Sequence, residues 1–238
     1  MLRHARDVIG WTVSARGGPA GVVRDVLVDD RHWNVRHLVV ETVPPARVRH
    51  ALISPNVVRR LNDDRRRVEL AVEQWEVSAA PDIEYDPPIA VLQEHMRYDT
   101  LGWRYYVRKP QAAPVWPAQE EPDPLPPRTR AQTTGDSHLR SVAVMSGYSV
   151  QGNDGAVGVL RDFVLDDQTW QISCLVVEAP EGDVAVSVDH IRTIDWERSE
   201  IQLDVTHDRL ALHEPHDASS PRCEVSTLSD TTAAEAAR

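Results

Sequence analysis

The chain has 238 residues, enough for two domains of about 100 residues each, and its 41% hydrophobic and 26% charged residues suit a globular protein. No apolar run approaches the ~20 residues that span a bilayer, and Met1–Asp7 lacks the apolar centre of a signal peptide, so the expectation is a cytoplasmic protein without a transmembrane segment. The net charge of −11 is unevenly placed: residues 1–109 carry 17 basic and 15 acidic side chains and residues 141–212 carry 4 and 13, which argues against a nucleic-acid partner.

Val8 to Val13 predicts a first strand, and Arg16-Gly17-Gly18-Pro19 a turn. Val22 to Val28 predicts a second strand, Asp29 to His32 a polar break, and Trp33 to Thr42 a third strand ended by Pro44-Pro45. Val48 to Ile53 predicts a fourth strand, broken by Ser54-Pro55, and a short segment runs from Val57 to Leu61. Asn62-Asp63-Asp64 makes another turn, and Arg67 to Glu73 alternates apolar and charged residues with the period of a half-buried strand.

The same text then returns. Gly10 to Glu41 aligns with Gly147 to Glu178 at a constant offset of 137, with 14 of 32 positions identical. The offset falls to 133 from Ile53/Val186 onward, so four residues are lost at one hairpin tip, where length changes are tolerated. A repeat of this length marks two copies of one folding unit. Short strands at intervals of about 8–12 residues predict an all-β protein, two small antiparallel β-barrels in tandem. A helix over Ile89–Asp99 and an aromatic cluster, Leu101 to Tyr106, extend the first copy. The expected division is 1–109 for the first repeat with its extension, 110–140 for a proline-rich linker, 141–212 for the second repeat and 213–238 for a disordered tail.

The pattern Gly-x-Val-x-Asp-x-Leu-Val-Asp-Asp-x-x-Trp over residues 21–33, Leu52-Ile53-Ser54-Pro55, Ala80-Pro81-Asp82-Ile83-Glu84 and Gly102-Trp103-Arg104-Tyr105-Tyr106 resembles the PRC-barrel domain. That domain forms the cytoplasmic barrel of the photosynthetic reaction-centre H subunit, and it occurs in tandem bacterial proteins. The resemblance covers about residues 1–107 and 141–212. It implies a barrel scaffold and small bacterial adaptor or stress-associated proteins.

Gly21, Asp25, Asp29 and Trp33, with Gly158, Asp162, Asp166 and Trp170, are the repeated signature and are read as structural. Asp29 and Asp166 are expected to cap turns, Asp30 and Asp167 to face water, and Asp25 and Asp162 to bond or pair across the barrel mouth beside Arg24 and Arg161. The tryptophans are expected to plug barrel ends, and Glu41 and Glu178 to be solvated strand ends. Cys174 and Cys223 are expected as free thiols, since neither has a metal-type or redox-type neighbour. His213 and His216, the closest histidine pair, and His95, on the predicted helix beside Glu94, are not read as ligands. No catalytic triad, phosphate loop, metal set or cofactor motif can be assembled, so the chain is read as a non-enzyme.

The candidate interaction residues are Arg59, Arg60, Arg65, Arg66 and Arg67, which flank one turn, and Trp103, Tyr105 and Tyr106. The arginines suit an acidic partner, an anionic lipid surface or the acidic second copy. The functional expectation is a non-catalytic binding or scaffold protein, with repeat–repeat pairing and homo-oligomerisation both open. The alternative is an accessory factor of a membrane or reaction-centre-like complex that carries no anchor of its own.

Overall fold

A computed structural model describes residues 1–43, 49–83 and 138–206. The predicted helix over 89–99, the aromatic cluster with Trp103, Tyr105 and Tyr106, the linker as far as residue 137, the Pro44-Pro45 turn, His95, His213, His216 and Cys223 lie outside the described residues, while Leu139 and Arg140, expected at the end of the linker, are strand. The described part is mostly β-sheet and forms two curled sheets. No helix among the described residues is long and apolar enough to cross a membrane.

The strands in chain order are β1 (Leu2–His4), β2 (Thr12–Arg16), β3 (Gly18–Asp29), β4 (Asn34–Thr42), β5 (His50–Ile53), β6 (Val58–Asn62) and β7 (Arg67–Glu73). After the linker come β8 (Leu139–Ser141), β9 (Ser149–Gly152), β10 (Gly155–Asp166), β11 (Ile172–Ala179), β12 (Gly182–Ser187), β13 (Ile191–Asp195) and β14 (Glu200–Leu203). The first sheet runs β5-β4-β3-β2-β7-β6 and the second β12-β11-β10-β9-β14-β13. In each, one pair is parallel, β2 with β7 and β9 with β14, and the other neighbours are antiparallel.

Repeat boundaries in the sequence and compact units in space do not coincide. One unit is Val8–Val144, and the other joins Met1–Asp7 to Met145–Arg238. Within the first unit β3 carries β8 as an extra antiparallel partner, and within the second β10 carries β1. Each repeat's leading strand therefore completes the sheet of the other repeat.

The long strand of each repeat is shaped for this. The β3–β4 ladder slips between Val23 and Asp25 and between Leu27 and Val28, and the β10–β11 ladder slips at the equivalent Leu160/Asp162 and Val164/Leu165 steps. Such bulges sharpen twist and re-aim side chains. Beyond the first bulge every residue from Asp25 to Asp29 is buried, so both faces of the strand are covered. One core holds Trp11, Val13, Val23, Val26, Leu38, Val68 and Leu70, and the other the corresponding Tyr148, Val150, Leu160, Phe163, Leu175, Ile201 and Leu203. A second small cluster gathers Leu139 with Leu27, Val39, Leu52 and Ile83, and its counterpart packs Leu2 and Ala185 on Val164, Cys174 and Val176.

Gly21 and Gly158 sit where this strand crosses its neighbour most closely. A Cβ at Gly21 would overlap the Glu41 carbonyl oxygen, and one at Gly158 the Glu178 carbonyl oxygen. Ser54 and Ser187 start equivalent short 3-10 turns by accepting the N–H of Asn56 and of Asp189, each at 3.3 Å. Of the strand predicted over Val8–Val13 only Thr12 and Val13 are strand: a 3-10 turn, Ala5–Val8, ends at its first residue, and Gly10 at φ 86 turns the chain before β2 begins. A short helix, α1 (Gln74–Ala79), follows β7, where no helix is expected from the sequence. The Arg49 guanidinium anchors it by donating to the Ser78 and Ala80 carbonyls at 3.1 and 2.5 Å.

Candidate functional site

The repeated acidic residues divide their work. In the turn after β3, Asp29 Oδ1 accepts the backbone N–H of Arg31 at 2.8 Å and of His32 at 3.3 Å. After β10, Asp166 Oδ1 accepts from Gln168 at 2.8 Å and Thr169 at 3.0 Å. The turn closes when the N–H of Trp33 donates to the Asp29 carbonyl and that of Trp170 to the Asp166 carbonyl. Closure places both tryptophans in the left-handed region, at φ 50 and 58, which costs a non-glycine residue about 1–2 kcal/mol. Trp33 is half-buried and Trp170 buried.

Burial opposes ionisation of Asp29, but the Arg31 N–H, the Arg36 guanidinium at 2.9 Å and His32 outweigh it and hold the carboxyl below its usual range. Asp166 is held low by the N–H groups of Thr169 and Gln168.

The second aspartate of each pair reaches across to the leading strand. Asp30 accepts from Arg140 Nε at 2.6 Å and lies 2.8 Å from His138 Nδ1, and its own N–H donates to the His138 carbonyl. Asp167 accepts from Arg3 Nε and Nη2 at 3.1 and 2.6 Å and from the Met1 amine at 2.7 Å, and its N–H donates to the Met1 carbonyl. Burial raises the Asp167 carboxyl, and the Met1 amine and Arg3 more than reverse this, so it stays below its ordinary value. The expectation that Asp30 and Asp167 face water is wrong, because each is half-buried and accepts from an arginine of the leading strand.

Asp25 and Asp162 are buried carboxylates inside the long strands. Asp25 accepts from Ser141 Oγ at 2.5 Å and from the N–H groups of Val26 at 2.7 Å and Ala143 at 3.1 Å. Asp162 accepts from the N–H groups of Phe163 at 2.7 Å and Arg6 at 3.2 Å, with His4 Nδ1 at 3.7 Å in the place that Ser141 takes beside Asp25. Burial pushes the Asp162 carboxyl up to about 6, against the pull of the Phe163 N–H, His4 and Arg6. The bonds that these aspartates accept from Ser141, Ala143 and Arg6 come from segments far away in the chain, and the arginines beside them bond elsewhere. Arg24 turns to Glu41 at 2.8 Å and Arg161 to Asp183 at 2.8 Å. Glu41 is thus paired rather than solvated, while Glu178 is exposed. Cys174 is buried and is not a free thiol.

These contacts tie the turn and interior of each long strand to the leading segment beside it. Among the described residues no three His, Cys, Asp or Glu side chains are placed to hold a metal ion. An open polar recess of about 390 Å³ is lined by Gln151, Asn153, Arg192, Glu200 and Gln202.

The arginine turn lies at the edge of the first sheet. Arg59 and Arg60 are exposed on edge strand β6, Arg65 and Arg66 are exposed in the turn, and Arg67 opens β7 half-buried. The turn is held by backbone bonds, the Arg65 N–H to Asn62 Oδ1 and the Arg66 N–H to the Asp63 carbonyl, both at 3.1 Å, with Arg66 at φ 45. None of the five guanidinium groups is paired with a carboxylate of the described residues. The equivalent second-copy turn keeps the fold, with Ser199 at φ 53, and puts Thr193, Ser199 and Glu200 in place of three of the arginines.

The contacts of the leading strands are what sequence reasoning missed. The signal is present: the offset of 137 extends back to Leu2-Arg3 and Leu139-Arg140. No protein-family model matches the chain, and no curated protein matches it.

Proposed function

We propose that the chain is a non-catalytic adaptor built on two PRC-barrel-like repeats, and that its first repeat binds an acidic protein segment through the β6–β7 turn. The observation that carries this is a set of five arginines without ion-pair partners among the described residues, two on edge strand β6 and three in the turn and at the start of β7, in a chain whose net charge is −11. An edge strand studded with arginine resists sheet-to-sheet aggregation. Guanidinium groups left unpaired there form bidentate contacts with carboxylates of a partner. The second repeat keeps the turn and loses most of the charge, so the two repeats address different partners.

The test is binding of a fluorescent polyglutamate peptide to the full chain. Arg65→Glu, Arg66→Glu and Arg67→Glu together are expected to weaken binding at least about tenfold, or about 1.4 kcal/mol. Arg198→Glu in the second repeat leaves it unchanged. Equal binding by all three proteins discards the surface. The alternative, an accessory factor docked on a membrane complex, uses the same arginines against headgroups. It predicts co-sedimentation with phosphatidylserine vesicles and none with phosphatidylcholine vesicles.

A further inference from the structure

Each sheet is finished by a strand that the other repeat supplies, and the two sets of contacts match one for one. The ladders are Leu2↔Asp166, Arg3↔Leu165 and His4↔Val164 on β10, and Leu139↔Asp29, Arg140↔Val28 and Ser141↔Leu27 on β3. Leu2 packs on Val164 and Val176, and Leu139 on Leu27 and Val39, which are equivalent positions. Arg3 meets Asp167 as Arg140 meets Asp30. The Arg6 N–H meets Asp162 as the Ala143 N–H meets Asp25. The chain passes from one unit to the other at the same step in both copies, Asp7 to Val8 and Val144 to Met145.

The acceptor groove therefore selects three things: an extended backbone of three residues, a leucine over a small apolar cluster, and an arginine that reaches the second aspartate of the turn. None of these depends on which chain carries the segment. A strand that docks away from its own repeat makes the same contacts when it comes from another molecule, and this is the low-cost route to exchanged dimers. We propose that this chain assembles with a second copy of itself by strand exchange, β1 of one copy completing the second-repeat sheet of the other. A second copy is the occupant that the groove fits, because it carries the same Leu-Arg segment on the same connection. Within one chain the segment and its groove meet at an effective concentration of about 1 mM, so protein concentration sets the balance between closed monomer and exchanged dimer.

Complementary charge reversal tests this with full-length chains. Arg3→Asp sets a carboxylate against Asp167, and Asp167→Arg sets a guanidinium against Arg3, so each variant rejects its own strand. Mixed and refolded together, each offers the strand the other accepts. The expected result is a particle of twice the chain mass by light scattering. It should be absent from either variant alone and, at about 1 µM, where the closed monomer dominates, from the double variant R3D/D167R, whose own strand fits again. A mixture that stays at one chain mass while the double variant folds overturns the proposal. Should the double variant fail to fold, the wild-type chain decides. Refolded from about 1 µM to about 1 mM, its dimer-to-monomer ratio should rise tenfold for each tenfold in concentration, and no dimer at any concentration overturns the proposal.

Discussion

Arg140 and Asp30 stand 110 residues apart in the chain and are bonded through Nε at 2.6 Å and Nη2 at 2.5 Å. The pair fastens the leading strand of one repeat to the long strand of the other, and Arg3 with Asp167 repeats it. Both members of the first pair are nine-tenths covered, so the ions are held by each other rather than by water.

Asp30→Asn is expected to cost about 3 kcal/mol, because it strands a buried guanidinium without its counter-charge. Urea denaturation measures it. A loss below about 1 kcal/mol, the value of an exposed pair, would contradict the burial.

Gly21→Ala and Gly158→Ala each push a methyl group into a neighbouring carbonyl oxygen. Each should lose about 1–3 kcal/mol, as overpacked sites do, and the losses should be alike because the sites are equivalent. Wild-type stability for either variant would show that the two strands are free to part.

Arg66 and Ser199 occupy the same left-handed position in equivalent turns. Glycine adopts that conformation without strain, so Arg66→Gly and Ser199→Gly should each stabilise by about 1 kcal/mol in thermal unfolding. If the arginine turn binds acidic partners, only Arg66→Gly also weakens polyglutamate binding. This separates the turn's role in folding from its role in recognition.

The pH dependence has two opposing parts. Asp162 is raised from 3.8 to about 6, so the folded chain holds a proton that the unfolded chain has released. The stability this contributes is fully present below about pH 4 and is lost as pH rises through about 6. Asp29, Asp166 and Asp167 are lowered, so their contribution is present above pH 3.8 and is lost as pH falls below it. Asp162→Asn should therefore flatten the stability profile between about pH 4 and pH 6 while leaving the acid limb intact. An unchanged slope in that window, read by urea denaturation at each pH, would refute the assignment.

Many of the strands and turns are legible in the sequence because local chemistry writes them. Asp29 and Asp166 cap turns as aspartates before a polar break do, and Arg67–Glu73 forms the strand its alternation predicts. Two elements resisted. Val8 and Ile9 look like strand residues, yet the positive φ of Gly10 turns the chain before pairing begins. Leu2–His4 and Leu139–Ser141 are too short to show a period, and their partners lie far away in the chain, so nothing local marks them as strands. Asp30 and Asp167 were misread for the same reason: an aspartate in a turn looks solvated until a distant arginine arrives.

The sequence by itself determined that this protein is one folding unit written twice, because glycine, aspartate and tryptophan act through their own backbone torsions and nearest neighbours. Only the tertiary structure decided which strand completes which sheet. Both grooves accept the same Leu-Arg segment, so local residues cannot distinguish a repeat's own leading strand from the other's, and the choice rests on connectivity and on hydrogen bonds made across more than 100 residues of chain.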